Sequence, residues 1–401
     1  MSMSQAEILF ENALRLMPWG TQTNAKRPIA EFSGAMPLFV ERARGCRIYD
    51  LSGNEFIDYR SALGPIILGY CYEDVDQAVR AQQSKGVLFS MSSPIETELA
   101  AKMIELVPGL EQVRFLKTGG DACSAAVRIA RAYTGKDKII SVGYHGWHDT
   151  FGAIHPHFRG VPACLSELIY DAPLNDLERI ETILRQDADN ISCVIAVTFS
   201  WNDAPNVEYV QGLRRLCDEY GILLIFDEVL TGFRLATGGA AEYFGVKPDL
   251  AVYAKALANG YPISAFGGAR KIMAAMDKTM ITVTHAGDAL SIAAALATLE
   301  IIHREQVISH IHHRGEALMA GMTELLACYE IPAKIRGLPV GFSLVPNQAL
   351  TELEARKLTR AERAIFENGI FSFRYWFLNY SHSQQDIALT LEKLESAFKS
   401  A

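Results

Sequence analysis

Residues 113–133, VRFLKTGGDACSAAVRIARAY, decide the fold. A short apolar run from Val113 to Leu116 stops at Thr118-Gly119-Gly120-Asp121, and a helical pattern follows. That order reads as strand, glycine turn, helix. The same texture continues downstream. KIISVGYHG (138–146), SCVIAVTF (192–199), GILLIFDEV (221–229), DLAVYAK (249–255) and PISAFGG (262–268) read as short strands. EYVQGLRRLCDEYG (208–221) reads as the helix leading into one of them. Apolar strands alternating with helices imply a mainly parallel sheet buried on both faces.

Outside this region the pattern changes. MSMSQAEILFENALRLMP at the start reads as an amphipathic helix with Ile8, Leu9, Ala13, Leu14 and Met17 on one side. VERARGCRIYDLSGNEFIDY (40–59) alternates about a Ser52-Gly53-Asn54 turn, a hairpin signal. After Gly287 the chain turns largely helical, with strand candidates in KIRGLPVGFSLV (334–345) and GIFSFRYWFLNY (369–380) and a last helix in QQDIALTLEKLESAF (384–398). The expected architecture is α/β: a large domain over residues 50–287, and a smaller α+β domain over 288–401 against which segment 1–49 packs.

Composition narrows the function classes. The chain has 401 residues, 49% hydrophobic and 21% charged, with a formal charge of −8. This is globular composition without the basic footprint of a nucleic-acid or anionic-membrane binder. The start lacks the basic, apolar and small-residue regions of a signal peptide, and the apolar runs are too short to span a bilayer. Seven scattered cysteines with no CxxC pair speak against a disulfide framework or a structural zinc site, and for a reducing cytoplasm.

Ligands of open α/β sheets bind beyond the carboxyl ends of the strands, so residues there are the candidates. Thr118-Gly119-Gly120-Asp121 offers backbone amides at a helix start, suited to a phosphate; the alternative is a plain tight turn. Asp227 follows five apolar residues and needs a cationic partner, such as a protonated ring nitrogen, or local backbone donors. Glu228 beside it could be solvated. Lys255 ends another apolar strand; desolvation would leave a neutral amine able to form a Schiff base, unless the side chain reaches solvent. In Tyr144-His145-Gly146-Trp147-His148 the aromatics could stack on a flat ring, or belong to the core. A metal site of His145, His148, His155 and His157 lacks acids or cysteines at useful spacing, so no metal is expected.

FLKTGGDACSAAVRIARAYTGKDKI, YHGWHD, LLIFDEVLTGFR, AKALANGYPISAFGG and THAGDALS, in this order, resemble the class III (fold type I) aminotransferases dependent on pyridoxal 5'-phosphate. Within the class the chain is similar to the glutamate-1-semialdehyde aminomutase branch, from about Pro18 to His382. The resemblance implies that Lys255 forms the internal aldimine and moves the proton, and that Asp227 pairs with the pyridinium nitrogen. It implies that Val229 and Tyr144 flank the ring, with His145 beside it. Thr118, Gly119 and Gly120 would hold the phosphate, and Thr284 would reach it from the neighbouring subunit of a homodimer. Some positions depart from the family. Lys117 stands where asparagine is frequent, and Thr198-Phe199 near an expected Glu-Pro. TNAKRP carries Lys26 and Arg27 as candidates for a substrate carboxylate, and Arg374 replaces a glutamate of the aminomutase pattern. Three cationic candidates imply an anionic substrate. The expected activity is transfer of an amino group from an amine donor to a small anionic carbonyl compound. The alternatives are an aminomutase using the same lysine and cofactor, and a non-catalytic member.

Overall fold

The computed structural model describes residues 4–154, 159–203, 205–373 and 375–401. The chain divides into two compact units. The larger takes residues 64–67 and 73–308, the smaller 1–63, 68–72 and 309–401. Residues 288–308 thus group with the larger unit, where the sequence expectation had placed a boundary at 287. The Ala289–Arg304 helix explains this, because it packs on the helices Glu73–Gln83 and Pro94–Leu106 of that unit.

In the smaller unit the strands β1 (Val40–Arg44), β2 (Arg47–Asp50) and β3 (Glu55–Asp58) form an antiparallel meander. The β2–β3 turn is the expected one: Asp50 Oδ1 accepts from the Ser52 and Asn54 amides at 2.9 and 2.8 Å. In the larger unit lie β4 (Gln112–Leu116), β5 (Lys138–Val142), β6 (Ile169–Asp171), β7 (Ile191–Ala196), β8 (Leu223–Asp227), β9 (Leu250–Tyr253) and β10 (Ser264–Gly268). They make one sheet in the order β4-β10-β9-β8-β7-β5-β6. All its strands run the same way except β10, which is antiparallel to β4 and β9. β7, β8 and β9 are buried at every position, as a sheet covered on both faces requires. The Gly119–Thr134 helix covers one face through Ile129 and the small Ala122, Ala126 and Ala130, which let helix and sheet approach closely.

The C-terminal strands return to the smaller unit. β11 (Ala333–Leu338), β12 (Gly341–Pro346) and β14 (Tyr375–Phe377) form a three-stranded sheet, whereas β13 (Ile370–Phe371) pairs in parallel with β3. The stretch GIFSFRYWFLNY, read as one strand, is therefore split between two sheets.

The first helix, Gln5–Leu16, also differs from expectation. Ala13 is its buried residue and Phe10 sits edge-on to Phe39, while Ile8, Leu9 and Leu14 are exposed. Its packed side is the i, i+3 line through Phe10 and Ala13, not the line through Ile8 and Leu9. The helix carries apolar residues on two sides, and sequence periodicity could not say which one this chain covers.

Candidate active site

The ends of β4, β5, β8 and β9 bring the expected residues together in the larger unit. Asp227 is the last residue of β8 and is buried. Three donors hold its carboxylate. Oδ2 lies 2.6 Å from His145 Nδ1 and 3.5 Å from the Cys123 thiol that donates to it, and Oδ1 accepts from the Val229 amide at 3.0 Å. Cys123 was not among the sequence candidates. Burial pushes its thiol pKa well up, with the Asp227 charge adding to the effect, so it stays a protonated donor.

Cys123, His145 and Asp227 place their polar side-chain atoms within 4.8 Å of one another, an arrangement that could hold a metal ion. The sequence had offered His145 no such neighbours, because the partners lie on other elements. The 2.6 Å contact is a short hydrogen bond that engages His145 Nδ1 and Asp227, while His145 Nε2 is buried without a partner among the described residues. His148 is engaged elsewhere, with Nδ1 2.6 Å from Ser124 Oγ. His155 and His157 lie outside the described residues.

Glu228, directly after β8, is buried with its own donors. It is not solvated, as the sequence had allowed, but 0% exposed. Its oxygens accept from the Ala240 and Ala241 amides at 2.8 and 2.9 Å and from the Thr231 hydroxyl. Desolvation outweighs these donors and raises its pKa to about 7.

Lys255 opens a short 3-10 turn after β9, with φ 45°, a left-handed conformation costing about 1–3 kcal/mol. The buried Ala256, Leu257 and Ala258 hold that turn in place. The side chain keeps some exposed surface, yet burial lowers its amine pKa, against the opposing pull of Asp227. The fully buried Arg234 adds to the lowering. Arg234 escaped sequence reading although it stands in LLIFDEVLTGFR; its guanidinium donates to the Gly64 carbonyl at 2.8 Å, and burial brings its own pKa down to about 9. A desolvated amine loses its proton more readily than a free lysine, which is what a nucleophilic amine needs.

Thr118 caps the Gly119–Thr134 helix: its hydroxyl accepts from the Asp121 amide at 3.1 Å, and Asp121 accepts from the Thr118 amide at 2.9 Å. This reciprocal cap leaves the Gly119 and Gly120 amides, at the positive end of the helix, without an intrahelical acceptor. Gly119 has no room for a side chain, since a Cβ there would lie 2.9 Å from the Val229 methyls; a Cβ at Gly146 would lie 2.8 Å from Gly120 Cα. The turn after β5 therefore packs backbone to backbone on the turn after β4. Tyr144 on that turn is 70% exposed, so it is not a core aromatic. Lys117, in the place of the family asparagine, has a structural explanation: Nζ pairs with Asp288 at 2.9 Å and donates to the Pro262 carbonyl at 3.0 Å.

Other candidates are less engaged. The Thr198 hydroxyl, near the expected Glu-Pro, is buried with no partner among the described residues. Thr284 is exposed. Lys26 and Arg27 are exposed in the smaller unit, with Arg27 over the Trp19 ring at 4.9 Å. Arg374 lies outside the described residues.

A carboxylate fixed by three donors, an amine with a lowered pKa and free helix-terminal amides fit pyridoxal phosphate: its ring nitrogen, its aldehyde and its phosphate respectively. Comparison with known proteins agrees. The family profile described as aminotransferase class-III matches residues 29–371. A 3-aminobutyryl-CoA aminotransferase of Cloacimonas acidaminovorans is 33% identical over 99% of this chain and 97% of its own length. A glutamate-1-semialdehyde 2,1-aminomutase of Syntrophobacter fumaroxidans is also 33% identical, over 99% and 98%. Among solved structures, the FumI protein of Sphingopyxis sp. MTA144 in its PLP internal aldimine form superposes with a TM-score of 0.91 at 29% identity, over 99% of this chain and 96% of that one. The chain belongs to the class III aminotransferases, enzymes of fold type I that depend on pyridoxal 5'-phosphate.

Proposed function

We propose that this enzyme moves an amino group from an amine donor to a small anionic carbonyl compound. The observation that carries the reading is the pairing of Lys255, its ammonium form disfavoured by burial, with an Asp227 locked by His145, Cys123 and the Val229 amide. Pyridoxal phosphate, when bound, supplies an electron-withdrawing ring that weakens bonds at the substrate carbon. Lys255 is the amine that holds the cofactor and, once released, takes and returns the proton at the substrate carbon. Asp227 keeps the ring nitrogen protonated, since a carboxylate fixed in place favours a cation beside it. Gly119 and Gly120 hold the phosphate through their amides, with Thr118 beside them, and Val229, Tyr144 and His145 orient the ring.

The substrate's anionic character is supported by Lys26, Arg27 and Arg374, the last reversing the charge of the aminomutase glutamate. We assign the working form as a homodimer in which Thr284 reaches the partner's cofactor. The exposed Val87, Leu88, Phe89 and Met91 support a covered face in the larger unit. Light scattering after gel filtration should give twice 44.2 kDa; a mass of 44.2 kDa would remove the Thr284 role. A cytoplasmic location is supported by seven cysteines, all free. No described helix is long and apolar enough to cross a membrane.

The decisive test is a half-reaction. Cofactor-loaded enzyme is mixed with amine donors in the absence of acceptor and followed by absorbance and product mass. Stoichiometric release of a carbonyl product establishes the transaminase. The second reading, an aminomutase, draws on the 33% identity to such an enzyme; catalytic isomerisation of an amino aldehyde without carbonyl release would establish that instead.

A further inference from the structure

The turns that follow β4 and β5 meet at Gly120 and Gly146, and a histidine of the larger unit stands at that meeting point. A Cβ built on Gly120 would lie 3.6 Å from His148 Cε1 and 3.7 Å from His148 Nε2, ordinary contact distances. The bare glycine therefore leaves that edge of the imidazole open beside the amides of the helix start. The His148 side chain is 25% exposed, so it is neither a core residue nor a free surface one.

Two sets of contacts aim the ring. Nδ1 lies 2.6 Å from Ser124 Oγ, about one helical turn beyond Gly120 on the Gly119–Thr134 helix. The backbone is fixed as well, because the His148 carbonyl accepts from the Phe151 and Gly152 amides, both at 2.9 Å. With Nδ1 taken by the serine, Nε2 is the nitrogen left to meet a ligand. Asp121 Oδ1 stands 3.7 Å from it, beyond hydrogen-bond length, while Asp121 Oδ2 accepts from the Thr118 amide. A carboxylate on that side favours the tautomer that carries its proton at Nε2.

The anion cradle has use for such a donor. A phosphate presents three strong acceptor oxygens, and the two glycines offer it backbone amides but no side chain. The Thr118 hydroxyl is already engaged in capping the helix. We propose that His148 is a further cofactor-binding residue: Ser124 donates to Nδ1, and the Nε2 N–H donates to the phosphate held by Gly119 and Gly120. This rests on the assignment of that glycine turn to the phosphate of pyridoxal 5'-phosphate. His148 then makes the enzyme select the phosphorylated cofactor, and Ser124 acts through it as a positioning residue.

The test is reconstitution of the full-length, cofactor-stripped enzyme with pyridoxal 5'-phosphate and, in parallel, with pyridoxal, which lacks the phosphate. Absorbance titration gives the two dissociation constants. His148→Leu should weaken binding of the phosphorylated form about tenfold or more, a hydrogen bond to a charged group being lost, and leave pyridoxal within about twofold. His148→Gln, whose side-chain amide keeps an N–H donor, should recover part of that loss. Ser124→Ala, a change that suits a helix interior, should lower the preference for phosphate in the same direction. An unchanged preference in both His148→Leu and Ser124→Ala would overturn the proposal, and so would an equal loss for the two ligands. These titrations need no turnover. Failure of the unaltered enzyme to bind pyridoxal 5'-phosphate would defeat the cofactor reading itself, whereas binding with an unaltered preference in the variants defeats only the role of His148.

Discussion

Replacing Glu228 with glutamine should change how stability depends on pH. The carboxyl is fully buried and its pKa stands at about 7, against 4.5 for the ordinary group. Between those values the folded chain holds a proton that the unfolded chain has lost. Wild-type stability therefore falls as pH rises through this window, and flattens above about pH 7. The full displacement is worth about 3 kcal/mol, of which about 2 kcal/mol falls between pH 5 and 7.5. Glu228→Gln removes the titration. It also sets one amide N–H against the Ala240 or Ala241 donors, which costs about 1–3 kcal/mol at every pH. The variant should thus be less stable than wild type at pH 5 and close most of that gap by pH 7.5. Urea unfolding of both proteins, at one saturating cofactor concentration across this range, reads the difference directly. Contributions from Asp58 and Lys255 are common to both proteins and cancel. Parallel profiles, with the gap unchanged by more than a few tenths of a kcal/mol, would refute the assignment of a displaced buried carboxyl.

Other perturbations test the site piece by piece. Lys255→Ala should leave bound pyridoxal phosphate with the spectrum of the free aldehyde and lower turnover by about 10²–10⁴-fold or more; near-normal turnover would remove the lysine from the mechanism. Gly119→Ala places a methyl 2.9 Å from Val229, and overpacking of that kind costs about 1–3 kcal/mol. Its effect should appear as weaker cofactor retention on dialysis, together with a lower melting temperature. His145→Leu removes the 2.6 Å donor to Asp227 and leaves Oδ2 with the thiol alone. The cofactor's absorbance should then titrate at a different pH, and an unchanged titration would show that the histidine does not orient the carboxylate.

Local sequence determined much of this protein. Alternation of apolar strands and helical runs specified the larger sheet, because a strand buried on both faces must be continuously apolar. The glycine turn after β4, Asp227 at the end of β8 and Lys255 after β9 were legible for the same reason: a polar residue that ends an apolar strand stands out against it. The direction of β10, the division of residues 369–380 between two sheets and the packed side of the first helix were not legible. Each depends on which distant surface is available, and periodicity carries no such information.

Tertiary structure alone decided the electrostatics. Cys123 and His145 meet Asp227 across 104 and 82 residues of chain, and Arg234 bears on Lys255 only because both are buried together. Glu228 and Asp227 are neighbours in sequence and both buried, yet each is held by a different set of donors from distant parts of the chain. Sequence fixes which groups can ionise, whereas the field and the burial that set their charge arise when residues far apart in the chain are packed together.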